Sequence, residues 1–326
     1  MPAFNNIVGR SDISEASLPT SVISEVIQET PQSSAVLSRA RKVNMSTAKT
    51  KQPVLATLPD AFWVDGDTGL KQTSKTGFEE LVMTAEELAV IVPIPDALIS
   101  DTNLPLWDMI KPLLVEAIGK KIDEAVLFGV DKPNSWPDDL LKAAKAAGNT
   151  VTFGTGADIG VDVANLARKV SLGGFNVDGF ISEPGLNWEL IGQRNAQGQA
   201  IYGPSMAEGQ PATLYGRPLN ELINGTWPHL GEAVKGQPKL FAADWSKIVV
   251  GIRQDITYDL FSEGVISDAD GKVVLNLMQQ DTKALRVVMR VGYQVANPLT
   301  RVQKTKTKRF PAGVLTYGDP VSAEED

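Results

Sequence analysis

The clearest pattern of apolar and polar positions is a strict alternation close to the C-terminal end of the chain. Apolar side chains fall on one face and polar ones on the other, namely Leu285, Val287, Met289, Val291, Tyr293 and Val295 against Arg286, Arg290 and Gln294. A period of two is typical of a β-strand with one buried and one solvated face. The pattern therefore predicts one long strand, preceded by an extended segment over 246–253 and a hairpin turn at 268–271.

A helical period replaces this alternation between residues 101 and 129. Apolar side chains recur there at the spacing of one buried stripe: Trp107, Ile110, Leu113, Leu114, Ala117, Ile118, Ile122, Ala125 and Val126. We expect the longest helix of the chain here, capped by Asp101, Thr102 or Asn103 and ended by Gly129. Pro112 removes one backbone hydrogen bond, so the helix is expected to kink there or to begin near it.

Two extended segments precede this helix, over 53–58 and 88–94, and Pro93 and Pro95 prevent the second from being helical. Between them, Asp65-Gly-Asp67-Thr-Gly69 has the residues of a tight turn, and a polar stretch with Lys71 and Lys75 follows. The sequence therefore predicts a long, protruding β-hairpin. Because an isolated hairpin is marginally stable in water, we expect it to pack against another surface.

The two ends of the chain flank a mixed central region. Residues 1–52 are rich in Ser, Thr, Ala and Gln and have one short helical pattern over 22–27, which indicates an extended arm that lies on another surface, with a disordered tail as the alternative. From about 148 to 240, short strands (150–153, 178–182) alternate with helices (161–170, 186–194). This mixture predicts an inserted α/β module within an α+β fold.

Composition and charge narrow the range of functions that the protein could have. The 326 residues are 43% hydrophobic, enough for about two domains, and the net charge of −8 disfavours a protein that grips nucleic acid through its phosphates. The absence of cysteine excludes disulfides, thiolate nucleophiles and cysteine-ligated metals. No secretory signal and no uncharged apolar run long enough for a bilayer is present, so we expect no membrane partner.

The chemical motifs are weak. His229 is the only histidine, and neither a nucleophile elbow nor a phosphate-binding P-loop occurs. The turn from Gly154 to Gly160, with Asp178 farther on, resembles a dinucleotide site, but its third glycine is one position late and Asp158 would repel a pyrophosphate. Asp268-Ala-Asp270-Gly271 starts like a calcium loop but continues with a lysine. We therefore predict no catalytic, cofactor-binding or metal-binding residue, and we keep a dinucleotide-binding enzyme as a minor alternative.

The segment from Ile91 to Gly129 is similar to the major capsid proteins of the Hong Kong 97 phage type. It has the order typical of that family: a strand, a proline-rich step, an Ile-Ser-Asp turn at 99–101, a long spine helix with Lys121-Ile-Asp-Glu-Ala125, and a closing Phe-Gly at 128–129. Ala242-Ala-Asp-Trp-Ser246, Val249-Val-Gly-Ile-Arg253 and the strand from Leu285 to Pro298 also resemble the family.

This resemblance implies an HK97-like capsid fold and a division of the chain into five parts. By it, residues 1–52 are an N-terminal arm, 53–90 an extended loop, 91–147 the first part of a peripheral domain, about 148–240 an axial domain, and 241–326 the return strands and tail. It implies a major head protein that forms pentamers and hexamers, and so an icosahedral virion shell around double-stranded DNA. The expected partners are a separate scaffold, a portal and decoration proteins, with synthesis in the host bacterial cytoplasm and no cofactor.

The resemblance also suggests where copies of the chain meet. The candidate contact residues are Asp65, Asp67, Lys71, Lys75 and Trp107. Some family members cross-link a hairpin lysine to an asparagine, and Lys71, Lys75 and Asn297 fall in the corresponding regions. No carboxylate lies between Asn297 and Asp319, where the family has its glutamate, so cross-linking is disfavoured. An encapsulin-type nanocompartment shell has the same fold and is the nearest alternative, although the long polar arm and the spine helix favour the virus.

Overall fold

The computed structural model describes residues 33–318, with gaps at 65–69, 102–104, 195–196, 198, 200–201, 203–211, 230–233 and 269. Its helices are α1 (Ala35–Arg39), α2 (Asp96–Asp101), α3 (Leu106–Asp123), α4 (Leu140–Ala146), α5 (Ile159–Leu172) and α6 (Leu186–Gly192). Its strands are β1 (Arg41–Asn44), β2 (Lys49–Thr57), β3 (Gly77–Pro95), β4 (Thr150–Thr152), β5 (Gly179–Ser182), β6 (Thr213–Leu214), β7 (Arg217–Glu221), β8 (Pro238–Ala243), β9 (Ile248–Phe261), β10 (Val265–Ser267), β11 (Val273–Asn276), β12 (Thr282–Val295) and β13 (Ala312–Thr316).

These strands form a five-stranded sheet in the order β1-β9-β12-β3-β2, a six-stranded sheet in the order β4-β13-β8-β5-β7-β6, and a β10-β11 hairpin. The chain divides into two compact units, whose described parts are residues 86–118 with 253–291, and residues 33–85 with 119–252 and 292–318. The α+β class predicted from the sequence is confirmed.

The six-stranded sheet holds the main core of the second unit. The predicted elements β4, α5, β5 and α6 are present within a few residues of their expected bounds. The apolar face of α5, including Leu166 and Val170, packs with Phe180, Leu240 and Leu315 from three strands of the sheet. Strand β13 was not predicted, and it lies between β4 and β8, which it pairs in parallel and antiparallel register respectively. The α/β module is therefore completed by a strand from the C-terminal part of the chain.

The predicted long helix is present as α3, which begins at Leu106 and continues through Pro112. The alternative start near Pro112 is therefore wrong. Asp101 does not cap α3, because it is the last residue of α2, while residues 102 and 103 lie outside the described part. The end at Gly129 is confirmed: a π-helical turn, Glu124–Phe128, follows α3, and Gly129 has a φ of 72°. Leu113 and Ala117 are exposed, so neither belongs to the buried stripe.

The alternating strand is β12, but its two faces differ less than the alternation predicted. Val288 and Gly292 are buried on the face expected to be solvated, and the polar residues between them are half-buried. Within the second unit, a Cβ at Gly292 would lie 3.0 Å from Cγ of Met83 and 3.2 Å from Sδ of Met45. The Thr84 carbonyl oxygen would lie closer still, at 2.8 Å, so this backbone and the methionine pair leave room only for glycine and cover the second face there.

The predicted β-hairpin consists of β2 and β3, which pair antiparallel from Lys49↔Thr84 to Thr57↔Gly77. Its turn at 65–69 lies outside the described residues. Strand β3 continues to Pro95, in agreement with the predicted extended segment. The predicted hairpin turn at Asp268 is also confirmed, because β10 and β11 pair antiparallel and the Asp268 carboxylate accepts the Lys272 N–H at 2.8 Å.

The C-terminal part of the expected arm is folded. Residues 35–39 form α1, and β1 pairs in parallel with β9 from Arg41↔Val249 to Asn44↔Ile252. The helical pattern predicted over 22–27 lies outside the described residues.

Candidate assembly surfaces

The hairpin segment, defined as residues 49–95, exposes an unusual number of large apolar side chains. Trp63 and Leu70, which flank the undescribed turn, are almost completely exposed, and Phe78 and Phe62 are 70% and 50% exposed. Both predicted lysines, Lys71 and Lys75, are exposed in the same loop. Exposed aromatic and aliphatic side chains on one element are typical of surfaces that bind other molecules. Asp65 and Asp67 lie outside the described residues.

The apolar residues of this loop were missed in the sequence, although Phe62-Trp-Val64 is an apolar run beside a turn signal. Such a short apolar run does not show by itself whether its side chains are buried. Only the tertiary structure shows that the segment between β2 and β3 has no sheet to bury it.

The base of the hairpin segment is held by the return segment, defined as residues 297–309. Lys306 Nζ lies 2.7 Å from Glu79, and Arg301 contacts the carboxylate of Asp60 at 3.1 Å. The Leu299 N–H donates to the Leu55 carbonyl oxygen at 3.0 Å. A hydrogen bond and the charge of Lys306 lower the pKa of Glu79. These ion pairs are exposed, so each is weak and salt screens it.

Asn297 makes contacts within its own subunit. Its side-chain amide donates to the Arg309 carbonyl oxygen at 2.8 Å, and its oxygen accepts from Nε of Arg309 at 3.2 Å. Burial lowers the pKa of this arginine. The amide is thus half-buried and held in place by the return segment, whereas Lys71 and Lys75 are exposed.

Trp107 lies in the first turn of α3 and is half-buried. It keeps part of its indole accessible, and its role as a contact residue stays a prediction.

The glycine-rich turn at 154–160 is explained by an internal carboxylate. Asp162, which is fully buried, accepts the N–H groups of Gly154 and Gly156 at 2.8 and 2.7 Å and the Thr155 hydroxyl at 3.1 Å. Asp158 caps α5 by accepting the Val161 N–H. The donors that a phosphate would need are therefore bonded to Asp162.

A cavity of about 440 Å³ beside this turn presents Asp158 and the rings of Tyr202 and Tyr215. A carboxylate at a helix N-terminus repels a phosphate, as expected from the sequence. Asp178, whose spacing from the turn resembles that of a dinucleotide site, instead accepts the Trp245 N–H at 2.9 Å, and burial raises its pKa. Neither acid is arranged for a dinucleotide.

A buried lysine joins three parts of the second unit. Lys239 on β8 lies 2.8 Å from Glu189 and 3.3 Å from Glu183, and its ammonium stacks 4.3 Å from the Phe153 ring. Burial alone would lower the pKa of Lys239, but hydrogen bonds to Glu189 and Tyr317 raise it overall. The amine is therefore charged and fully partnered, which makes this network structural.

The part of the chain that the structure describes has neither a metal-binding cluster nor a membrane-spanning helix. No group of three or more potential metal-ligating side chains occurs in that part. None of its helices is both long and apolar enough to span a bilayer.

The long helix, the paired extended hairpin and the mixed six-stranded sheet together form an α+β fold of the capsid type, which is the fold of a shell-forming subunit. The phage capsid family matches residues 16–301, so the chain belongs to the phage capsid family. Its function is that of a shell-forming major capsid protein of a tailed phage.

Individual relatives agree with this assignment. The major capsid protein of Staphylococcus phage 80alpha is 25% identical over 298 residues, which cover 90% of this chain and 85% of that protein. A solved structure from Microbacterium phage Oxtober96 is 33% identical, with a TM-score of 0.78 over 96% of this chain and 100% of that one. One from Mycobacterium phage Adephagia is 31% identical, with a TM-score of 0.77 over 96% and 98%. The capsid of a native GTA particle, 17% identical with a TM-score of 0.63 over 97% and 100%, shares the fold.

Proposed function

We propose that copies of this chain assemble as pentamers and hexamers into a closed icosahedral shell that surrounds phage double-stranded DNA. The observation that carries the proposal is the exposure of Trp63, Leu70 and Phe78 on the hairpin segment. Large exposed aromatic side chains become the anchors of protein interfaces when a partner covers them. In a shell built of one protein, that partner is a neighbouring copy.

The geometry of such a shell follows from head-to-tail contacts. Contacts that repeat around an axis close into rings, and small differences of angle let one sequence form rings of five and of six. A hairpin and an arm that reach over neighbours add interface area without a larger core. Individual contacts can then be weak, because many of them act together.

We assign the five parts of the chain accordingly. Residues 1–52 act as the arm, 53–90 as the extended loop, 91–147 and 241–326 as the peripheral domain with its tail, and about 148–240 as the axial domain around the symmetry axis. The candidate contact residues Asp65, Asp67, Lys71, Lys75 and Trp107 belong to the surfaces between copies. Support comes from the exposed hairpin loop and from the sheet that spans most of the α/β module.

The shell has further partners in this proposal. A separate scaffold directs assembly in the host bacterial cytoplasm, a portal occupies one vertex, and decoration proteins bind outside. The DNA is enclosed without sequence-specific contacts, because a subunit with a net charge of −8 avoids gripping it. Tight binding of DNA by the subunit at low salt would refute this part.

The protein acts as a structural subunit and not as an enzyme. The occupation of the glycine-rich turn by Asp162 supports this view over a dinucleotide-binding enzyme. The match to the phage capsid family favours a virion over an encapsulin-type nanocompartment.

Negative-stain electron microscopy of the protein, expressed alone and with its neighbouring phage genes, tests the proposal. We expect closed icosahedral particles, or rings of five and six copies. A monomer or dimer under every condition would overturn the proposed assembly.

A further inference from the structure

A buried carboxylate near the end of α3 holds the beginning of α1. Asp123 accepts hydrogen bonds from the Ser34 hydroxyl at 2.5 Å, the Ala35 N–H at 3.0 Å and the Val36 N–H at 3.1 Å. Asp123 and Val36 are fully buried, and Ser34 is 4% exposed. The two segments are far apart in sequence, so these bonds are made only in the folded chain.

The bonds satisfy groups that α1 itself cannot satisfy. The first N–H groups of a helix have no partner within that helix. The Ser34 hydroxyl accepts the Leu37 N–H at 2.9 Å, as an N-cap does. Asp123 accepts the N–H groups of Ala35 and Val36, the first two residues of the helix. Asp123 therefore acts as a second cap, supplied by a different helix.

The surface of α3 is also shaped for Ser34. Gly119 lies one turn before Asp123 and on the same face, because residues four apart on a helix are neighbours. A Cβ at Gly119 would lie 3.1 Å from the Ser34 nitrogen and 3.2 Å from the Ser34 Cβ. Glycine thus provides the space and aspartate the bonds at one place on the helix.

The residues that follow Ser34 are also bonded to other parts of the subunit. Arg39 donates to the Asn220 side-chain oxygen through Nη2 at 2.5 Å and through Nε at 3.1 Å. Strand β1 then pairs with β9. Ser34, α1 and β1 are therefore bonded in succession to the rest of the subunit.

We propose that Gly119 and Asp123 form a docking site for Ser34 that fixes the point from which the arm departs, and that closed shells require this docking. The requirement of docking for closed shells rests on the proposed function, in which the arm contacts a neighbouring copy. If residues 34–44 were released, the chain that connects the arm to the rest of the subunit would become longer by up to about 3.5 Å for each released residue. A longer tether lowers the effective concentration of the arm at its target on the neighbour.

Limited trypsin digestion of the full-length subunit tests the docking. Arg39, Arg41 and Lys42 follow the docking site, and Arg10 is the only Lys or Arg among residues 1–32, so products cut there are scored separately. Asp123→Asn turns one acceptor into an N–H donor that faces other donors. Gly119→Ala adds only a methyl group against Ser34 and leaves the charge unchanged. We expect both variants to be cut about tenfold faster at the three sites, because each loses one or two buried hydrogen bonds.

Matched controls separate docking from general damage. Gly192→Ala adds the same methyl group in open space, and Asp108→Asn neutralises an exposed carboxylate on α3. Neither should change the digestion. Ser34→Ala is a milder variant in case the others fold poorly, and Ser34→Thr, which keeps the hydroxyl, should restore most of the protection that Ser34→Ala loses.

The fraction of protein that sediments as closed shells completes the test. We expect Asp123→Asn and Gly119→Ala to lose most of their shells while the controls keep theirs. Unchanged digestion in both variants would overturn the docking site, and faster digestion with a normal shell yield would overturn its role in assembly. A wild-type protein that forms no shells would instead count against the proposed function, while digestion would still decide the docking site.

Discussion

At the scale of single residues, the most informative positions are charged side chains that the fold buries. Asp123, Asp162 and Lys239 are 0%, 0% and 4% exposed, and each has several hydrogen-bond or ion-pair partners. Buried charges are tolerated only when they are paired and hydrogen-bonded. All three fix segments of the chain to each other, whereas the aromatic residues of the hairpin are exposed, and we propose that they contact neighbouring copies.

We expect Trp63→Ala to reduce shell formation without destabilising the subunit. The indole is fully exposed, so its removal costs the isolated fold little, whereas an aromatic anchor at an interface contributes about 2 kcal/mol or more. Shell yield by sedimentation and melting temperature by calorimetry measure the two effects. Trp63→Phe, which keeps an aromatic ring, is the matched control, and a normal yield from Trp63→Ala would show that this side chain is no anchor.

The ionisation of Asp123 should make stability depend on pH. Burial raises the pKa of Asp123 from 3.8 to about 6, against the opposing effect of its hydrogen bonds. The folded subunit therefore keeps a proton that the unfolded chain releases, and this contribution to stability, complete below pH 4, is lost as the pH rises through about 6. The change amounts to about 3 kcal/mol.

Denaturant unfolding of the unassembled subunit between pH 4 and 7 measures this effect. The stability of the wild type relative to Asp123→Asn should fall across that range, because asparagine does not titrate. A difference independent of pH would show that Asp123 titrates at its ordinary pKa.

At the scale of elements, the hairpin segment and the return segment are connected by two exposed ion pairs and one backbone hydrogen bond. Lys306 with Glu79 and Arg301 with Asp60 are exposed pairs, whereas the Leu299 N–H to Leu55 bond is a backbone contact. Exposed pairs are individually weak and sensitive to salt. These small interactions add to the stronger attachment of the hairpin, in which β3 lies next to β12 in the sheet and Met83 and Ala85 are buried in a core cluster.

Charge reversal should test this connection. We expect Glu79→Lys and Lys306→Glu each to speed hydrogen exchange at the Leu299 amide, and the double variant to restore the slower wild-type exchange, since it restores the opposite charges. Added salt should reduce the difference between the wild type and the single variants. Equal exchange in all four proteins would show that the ion pair does not hold the return segment.

At the scale of the whole molecule, the chain combines internally bonded units with a hairpin that exposes large apolar side chains. Shell stability in such a protein comes from many repeated contacts, so covalent bonds are not required. The contacts of Asn297 agree with this, because its amide is engaged by Arg309 of the same subunit.

We accordingly expect particles that are boiled in denaturant to give a single band at the mass of one chain. A ladder of bands would show that Lys71 or Lys75 is joined to Asn297 of a neighbour. In that case Lys71→Arg and Lys75→Arg, which keep the charge but remove the primary amine, would identify the lysine used.

The sequence alone determined the type and order of the most regular local elements. The alternation at 285–295, the helical stripe before Gly129 and the prolines that end the second extended segment each reflect a period or a backbone constraint contained in a few neighbouring residues. For the same reason the α+β class and the hairpin could be predicted. The resemblance carried by residues 91–129 then indicated the family.

Only the tertiary structure decided which distant segments meet. The insertion of β13 between β4 and β8, the covering of β12 at Gly292 and the capping of α1 by Asp123 all join residues far apart in sequence. No local period encodes such pairings, because they depend on how complete elements pack and on where a buried polar group finds its partner. The exposure of Trp63 is decided in the same way, since burial is a property of the surroundings and not of the residue.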